Sequence, residues 1–202
     1  MAAQAAIIAG ALNPGMAPSQ PGISDSAAMT AAINHPAVRD ALSTLGIAFD
    51  VVPCDPALAD TAAFCETYGF ALEDAANCIV VASRRPPGHH LVALVLATTR
   101  LDVNGRCCEL MGVRRASFAS PEQTAELTGM EIGGVTPFGL DASLQPVRVD
   151  AAVLTRQRVV VGGGDRSVKL VIDTTVFARS PLFEVIEGLA SSGPAATVTS
   201  PP

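Results

Sequence analysis

The stretch Met-Glu-Ile-Gly-Gly-Val-Thr-Pro-Phe-Gly-Leu at residues 130–140, here called the glycine loop, decides the fold and the candidate site. Its paired glycines, Gly133 and Gly134, allow positive φ and let a ligand approach the backbone amides closely. Pro137 fixes the chain just beyond them. Such a loop can present N–H groups to a carbonyl oxygen or a phosphate, as an oxyanion hole does. A plain surface turn has a similar composition, so this ligand loop is a hypothesis.

The segments around the glycine loop alternate between strand and helix patterns. Two uninterrupted apolar runs, residues 78–82 and 91–97, are typical of strands that are covered on both faces. Residues 84–90 between them contain two prolines and a glycine, which predicts an exposed hairpin-like loop. Two more strands are predicted at residues 158–161 and 167–172. The pattern predicts an α/β (α+β) fold, a single domain with one mixed central sheet flanked by helices.

Three helix starts can be recognised from their capping signals. Pro36 opens a helical pattern that Gly46 ends. Asp60 is a suitable N-cap for a helix over residues 61–68. The motif Ser-Pro-Glu-Gln at residues 120–123 is a capping box with proline at the first helical position, which predicts a helix leading towards the glycine loop.

Composition excludes several classes of protein. The chain has 202 residues, of which 49% are hydrophobic and 16% charged, so we expect it to fold. No apolar run approaches the ~18 residues that cross a bilayer, which argues against a membrane protein. A formal net charge of −6 argues against a protein that coats duplex DNA by neutralising phosphates. A small site for the end of a nucleic acid remains compatible with this charge.

The two ends of the chain differ in composition from its middle. Residues 1–33 carry a single charge, and we predict a flexible extension without a secretory signal. Residues 190–202 are uncharged and rich in Ser, Thr, Pro and Gly, which predicts a disordered tail. The folded domain is therefore expected at residues 34–189. The five cysteines have no regular spacing, which indicates reduced thiols and a cytoplasmic protein.

From about residue 35 to residue 189, the chain resembles the YbaK/EbsC family, the aminoacyl-tRNA editing domain that is also associated with prolyl-tRNA synthetases. Residues 133–139, Gly-Gly-Val-Thr-Pro-Phe-Gly, match the family's Gly-x-x-x-Pro loop and its following glycine. Other segments resemble the family in the same order, namely residues 99–103, 117–129, 146–150 and 162–170. The resemblance implies a YbaK-like fold and trans-editing hydrolysis of the ester of mischarged tRNA. The implied partner is the tRNA acceptor end or an aminoacyl-tRNA.

The resemblance also implies roles for individual residues of the glycine loop. The amides of Gly133 and Gly134 are expected to position the substrate carbonyl while water, or a group on the substrate, attacks it. The substrate-binding residues would be Val135, Thr136, Pro137 and Gly139. For the Thr136 hydroxyl, a hydrogen bond to its own backbone is the alternative to substrate contact.

The chain departs from the resembling family at Asn77. Editing members usually carry a lysine at the start of this strand, where the lysine is implied to hold the 3′ end of the tRNA. An amide supplies no charge, and charge-assisted hydrogen bonds are about twice as strong as neutral ones. We therefore expect Asn77 to belong to the catalytic site with weakened or altered activity. The alternative is a non-catalytic relative that binds an aminoacyl group, a nucleotide end or a protein partner.

Lys169 is the only lysine of the chain, and it lies in the last predicted strand. We interpret it as a solvated charge at the end of that strand, although the family often has a basic residue there. Arg84, Arg85 and Arg166 could approach a phosphate, but the sequence does not bring them near Asn77.

No metal and no cofactor are expected. The pairs at residues 89–90 (two histidines) and 107–108 (two cysteines) point in different directions within each pair, so neither is a natural clamp for a metal. The Gly-Gly-Gly-Asp stretch at residues 162–165 predicts a hairpin turn and not a nucleotide-binding loop. Cys78 is expected to be a buried and unreactive thiol. The sequence leaves the oligomeric state open.

Overall fold

A computed structural model describes residues 30–193 of the chain. The helices are α1 (Pro36–Leu45), α2 (Thr61–Tyr68), α3 (Cys108–Met111), α4 (Pro121–Thr128) and α5 (Thr175–Arg179). The strands are β1 (Phe49–Pro53), β2 (Ala76–Arg85), β3 (Pro87–Leu96), β4 (Thr99–Leu101), β5 (Arg115–Phe118), β6 (Val147–Asp150), β7 (Arg158–Gly162), β8 (Val168–Asp173), β9 (Phe183–Ile186) and β10 (Ala190–Ser192). Short 3₁₀ segments and one π-helical turn (Val103–Cys107) connect them.

The strands form two main sheets and a short ribbon. The central sheet has five strands in the order β5-β2-β3-β6-β9, with antiparallel pairing of β2 to β3 and β5, and parallel pairing of β6 to β3 and β9. A second, antiparallel sheet has the order β1-β8-β7, and β4 pairs with β10. The predicted α/β fold with a mixed central sheet is confirmed. The strands predicted at residues 158–161 and 167–172 belong to the second sheet.

The central hairpin β2–β3 is covered on both faces, as its uninterrupted apolar sequence predicts. Alternate residues of a strand point to opposite faces of the sheet. Accordingly, Val80 and Leu94 belong to a core cluster that also contains Phe138 of the glycine loop. Val81 and Val95 belong to a second core cluster on the other face. The glycine loop is therefore packed directly against the core, which fixes its position.

The predicted helix starts and ends are confirmed, with one difference at α2. Helix α1 ends at Gly46, which has φ 60° and donates its N–H to the carbonyl of Leu42. The Ser120 side chain accepts a hydrogen bond from the amide of Gln123 at 3.2 Å, as in a capping box. Asp60 is the N-cap residue of α2, but its side chain makes no capping bond. The Asp60 carboxylate is therefore available to interact with another part of the chain.

Residues 84–90 form an exposed hairpin connection as predicted, but the prediction that all of them belong to its loop is wrong. Strand β2 continues to Arg85 and β3 begins at Pro87, with Arg84 paired to Pro87. The backbone pairing continues beyond the apolar runs because β5 pairs with the far end of β2. The side chains of this extension are exposed, which is why the sequence looked like a loop.

The folded part also extends beyond the predicted boundaries at both ends. Ile33 is fully buried in the core, and Ala190–Ser192 forms β10. The rest of the predicted extension and tail, residues 1–29 and 194–202, lies outside the described residues. Within residues 30–193, no helix has the length and apolar character that a membrane span requires.

Candidate active site

A cavity of about 630 Å³ lies between β2 of the central sheet and β7 and β8 of the second sheet, and the glycine loop contributes to its wall. Ligand pockets in proteins usually have volumes of about 300–1,000 Å³, so this cavity suits a small organic group. Much of its lining is apolar and comes from the facing strands and from α2, including Phe64, Ile79, Val80, Val160 and Val161. Its polar lining includes Asp60, Thr61, Asn77, Gly133 and Lys169.

Asn77 is half-buried in this lining, and its side-chain amide is held in one orientation. The Thr61 hydroxyl donates a hydrogen bond to Asn77 Oδ1 at 2.7 Å. Within residues 30–193, Asn77 Nδ2 has no protein acceptor. The α2 helix therefore fixes the amide so that its NH₂ group is available as a donor.

Lys169 lies in the same cavity wall, so its interpretation as a solvated strand-end charge is wrong. Its residue is 5% exposed because β8 is the middle strand of the second sheet, where Lys169 pairs with both Val52 and Gly162. The ammonium donates to the carbonyl of Ala59 at 2.6 Å and to that of Gly133 at 2.7 Å. Lys169 therefore ties the glycine loop to the segment before α2.

The burial of Lys169 affects its titration. Burial lowers the pKa of the ammonium because removal from water disfavours the charged form, and the Arg166 charge acts in the same direction. The neighbouring Cys54, Asp60 and Cys65 oppose this shift. An ammonium has three donor hydrogens, of which two are used by carbonyls. The ammonium makes no third hydrogen bond within residues 30–193, and it lies 5.6 Å from the centroid of the Phe64 ring, which also lines the cavity.

The glycine loop forms a tight turn in which the two predicted amide donors differ. The amide of Gly134 donates to the carbonyl of Glu131 at 2.9 Å, which closes the turn, and Gly133 has φ +92°. Within the described residues, the Gly133 amide has no protein acceptor, and Gly133 lines the cavity. The predicted pair of donors is therefore corrected to Gly133 alone, because the Gly134 N–H is already used.

Gly134 is required for packing against the turn between β7 and β8. A Cβ atom at residue 134 would lie 2.5 Å from the backbone carbonyl of Asp165. The Gly134 carbonyl also accepts the amide of Gly164 at 2.8 Å. The predicted hairpin turn at residues 162–165 thus supports the glycine loop from behind.

Arg166 supports the same loop, which the sequence did not reveal. Its Nη1 donates to the carbonyl of Ile132 at 2.7 Å, and its Nε donates to the carbonyl of Pro56 at 2.9 Å. Nη1 also lies 3.4 Å from the carboxylate of Asp60. The Ile132 carbonyl and the Gly133 amide belong to one peptide group. A cation on that carbonyl polarises the peptide and makes the Gly133 N–H a stronger donor.

The four predicted substrate-binding residues are located differently with respect to the cavity. Val135 lines it. Thr136 is fully buried, and its hydroxyl makes no hydrogen bond within residues 30–193, so the alternative of a bond to its own backbone is not observed. Pro137 is buried, and Gly139 packs so closely on α1 that a Cβ would clash with the backbone of Ala37. The substrate-binding roles of all four remain predictions.

The remaining candidate groups in the sequence have little reactivity in the structure. Cys78 lines the cavity, but burial raises the pKa of its thiol well above the ordinary value, so the reactive thiolate is disfavoured. Within residues 30–193, no cluster of three or more His, Cys, Asp or Glu side chains could hold a metal ion.

The fold and the cavity together define an α/β domain with a ligand pocket under a glycine turn. Residues 55–179 match the family model described as the aminoacyl-tRNA editing domain, which is more than half of the chain. The chain therefore belongs to the aminoacyl-tRNA editing domain family, of the YbaK type, and the family predicted from the sequence is confirmed. Membership supports a general function in aminoacyl-tRNA deacylation and implies an interaction with tRNA.

Several solved structures share the fold. One protein, described as a candidate trans-editing enzyme for prolyl-tRNA synthetase, is 25% identical, with a TM-score of 0.64 over 85% of this chain and 99% of its own. A hypothetical protein is 20% identical, with a TM-score of 0.65 over 77% and 99% of the two chains. A scaffold protein used for computational epitope grafting is 23% identical, with a TM-score of 0.64 over 78% and 99%. No curated protein sequence matches the chain.

Proposed function

We propose that this protein is an aminoacyl-tRNA deacylase that hydrolyses the ester of mischarged tRNA in trans, in the cytoplasm. The proposal is supported by the observation that three hydrogen-bond donors line one cavity. They are the Asn77 amide, the Gly133 backbone N–H and the Lys169 ammonium. The apolar walls between the sheets suit the side chain of an amino acid.

The chemistry is the hydrolysis of a carboxylic ester. Water adds to the carbonyl carbon, the bond from that carbon to the ribose oxygen breaks, and the ribose hydroxyl regains a proton as the amino acid leaves. The barrier falls when fixed donors face the oxygen on which negative charge develops. The Gly133 N–H is the donor for that oxygen, and Arg166 acts as a positioning residue by polarising the peptide group.

Lys169 supplies the positive charge that Asn77 lacks. The family's lysine at the start of this strand would add a full charge to the pocket, whereas Asn77 adds only a neutral donor. Lys169 brings an ammonium into the same lining from the opposite sheet. Because this charge is buried, solvent screens it much less than a surface charge. In this proposal, Asn77 orients the ester or the ribose and Lys169 stabilises the developing charge.

The proposal is tested by the release of amino acid from a panel of mischarged tRNAs. Asn77→Asp is the informative variant, because it keeps the oxygen that accepts from Thr61 but replaces the free NH₂ donor by an acceptor. We expect a loss of about 10–100-fold in kcat/KM, since removal of one donor to a developing oxyanion costs up to about 10²–10³-fold. Asn77→Lys is the matched variant and should equal or exceed the unmodified protein.

Background hydrolysis across the whole panel would decide against the deacylase. Tight binding of aminoacyl-tRNA without release of amino acid would favour the non-catalytic binding protein. Equal rates above background for the Asp and Lys variants would contradict the role proposed for Asn77.

A further inference from the structure

A second cleft, which we call the arginine cleft, lies next to the active-site cavity. Its volume is about 830 Å³, and its lining includes Arg84, Arg85, Arg100 and Arg115. All four side chains are exposed. One residue, Phe118 at the end of β5, lines both the arginine cleft and the active-site cavity. The arginine cleft and the active-site cavity are therefore adjacent at Phe118.

The arginines of the cleft differ from most others in this acidic protein. The chain has 13 basic residues and a single lysine, which leaves twelve arginines, all within the described residues. Six of these have a side-chain nitrogen within 4.0 Å of a carboxylate oxygen, namely Arg39, Arg106, Arg148, Arg156, Arg158 and Arg166. Four of the other six line this one cleft. Unneutralised positive charge is therefore concentrated beside the active site.

Three features indicate that the cleft is built for an anion. Arg85 and Arg115 are paired directly across β2 and β5, and like charges directly opposite each other destabilise a sheet. Arg84 is held in place because its Nε donates to the Ser117 hydroxyl at 2.7 Å. The one carboxylate in the lining, Asp102, already accepts two backbone amides of the π-helical turn. The arrangement stabilises the fold less well than neutral residues would, but it suits a ligand with several negative charges.

We propose that the arginine cleft binds the phosphodiester backbone of the RNA acceptor arm whose aminoacylated end occupies the active-site cavity. This proposal rests on the proposed function for the identity of the RNA. Guanidinium groups match phosphate geometry with two parallel hydrogen bonds, and several phosphates along a strand need several such groups. RNA fits better than an acidic peptide because the substrate proposed for the adjacent cavity is the aminoacylated end of an RNA, and Phe118 lines both the cleft and that cavity.

The test compares two double variants that remove the same charge. Arg100→Ala with Arg115→Ala removes two cleft arginines, and Arg114→Ala with Arg179→Ala removes two exposed arginines that are outside the cleft lining. The probe is deacylated tRNA, and its affinity is measured between 50 and 200 mM salt. Each phosphate contact adds about 0.7–0.9 to the slope of log K against log salt. Loss of two contacts should lower the slope by about 1.4–1.8. Between 50 and 200 mM salt, the affinity of the cleft variant should therefore change roughly 7–12-fold less than the affinity of the unmodified protein.

We expect the control double variant to keep the slope of the unmodified protein. Equal slopes for the two double variants would overturn the proposal, and so would tighter binding of a polyglutamate peptide than of RNA with the same charge. A second readout is the ratio of kcat/KM for aminoacyl-tRNA to that for 3′-O-aminoacyl adenosine, which lacks the phosphates. This ratio should fall in the cleft variant. Cleft-dependent binding without any hydrolysis would support the cleft and contradict only the deacylase.

Discussion

Substitution of Lys169 by methionine tests the role of the buried ammonium in holding the glycine loop. Methionine keeps most of the apolar stem and removes the two bonds to Ala59 and Gly133. Ala59 is fully buried, so its carbonyl loses its partner, whereas water in the cavity can reach Gly133. An unsatisfied buried carbonyl costs about 1–3 kcal/mol, so we expect a loss of about 2 kcal/mol. For a domain of this size this lowers Tm by about 4–8 °C.

The assay is thermal unfolding of the full chain, combined with hydrogen exchange of the loop amides at residues 131–135. The loop amides should exchange faster in the variant. Arg179→Met is the matched control, since it removes an exposed cation and should change the free energy of unfolding by less than about 0.5 kcal/mol. An unchanged or higher Tm for Lys169→Met, with unchanged exchange, would refute the reasoning. It would mean that the cost of burying the charge exceeds what its two bonds contribute.

Further predictions for Lys169, Arg166 and Gly162 rest on the same geometry. Burial lowers the pKa of Lys169 in the folded protein. Deacylation that needs the charge of Lys169 should therefore fall as the pH rises through this lowered pKa. The measured rates are corrected for spontaneous ester hydrolysis. Between this lowered pKa and the unfolded value of ~10.4, Lys169 is protonated in the unfolded chain but not in the folded one. The free energy of unfolding should therefore rise as the pH increases through this range. A fall in the free energy of unfolding over the same range would contradict the prediction. Arg166→Met should lower kcat on a minimal ester by about 3–10-fold with little change in KM, because it removes polarisation and not a substrate contact. Gly162→Ala should destabilise the protein by about 1–3 kcal/mol in chemical unfolding, because its Cβ would clash with the carbonyls of Gly134 and Val135.

The local elements were predictable because their signals are local. The cap at Gly46, the capping box at Ser120 and the apolar runs of β2 and β3 each act within a few residues. The division of the strands into two sheets was not predictable in this way. It depends on β1 pairing with β8, more than one hundred residues later in the chain.

The site was predictable only in part, for the same reason. Gly133 was predicted from the motif of the glycine loop, and Asn77 from its position at the start of β2. Both residues line one cavity. Lys169 was misjudged because nothing in the residues beside it shows that β8 has a neighbour on each side. The Gly134 amide was misassigned because the partner of its N–H lies inside the turn. The one sequence signal of a buried charge was that Lys169 stands between the apolar residues Val168 and Leu170.

The arginine cleft also could not be predicted from the sequence. Arg84 and Arg85 adjoin each other in the chain, but Arg100 and Arg115 come from β4 and β5. Net charge is a poor guide here, because six arginines are neutralised by carboxylates and the remaining ones are unevenly distributed. An acidic protein can therefore present a strongly basic cleft.

The central claim is that the Gly133 amide faces the carbonyl of a bound aminoacyl end. The most direct measurement is the ¹⁵N–¹H NMR spectrum during titration with a non-hydrolysable 3′-aminoacylamido adenosine. The account predicts a large downfield shift of the Gly133 amide proton, as expected for a new hydrogen bond, and little change for Gly134, whose amide is already bonded. Saturable binding that shifts neither Gly133 nor the Asn77 side-chain amide would contradict the account.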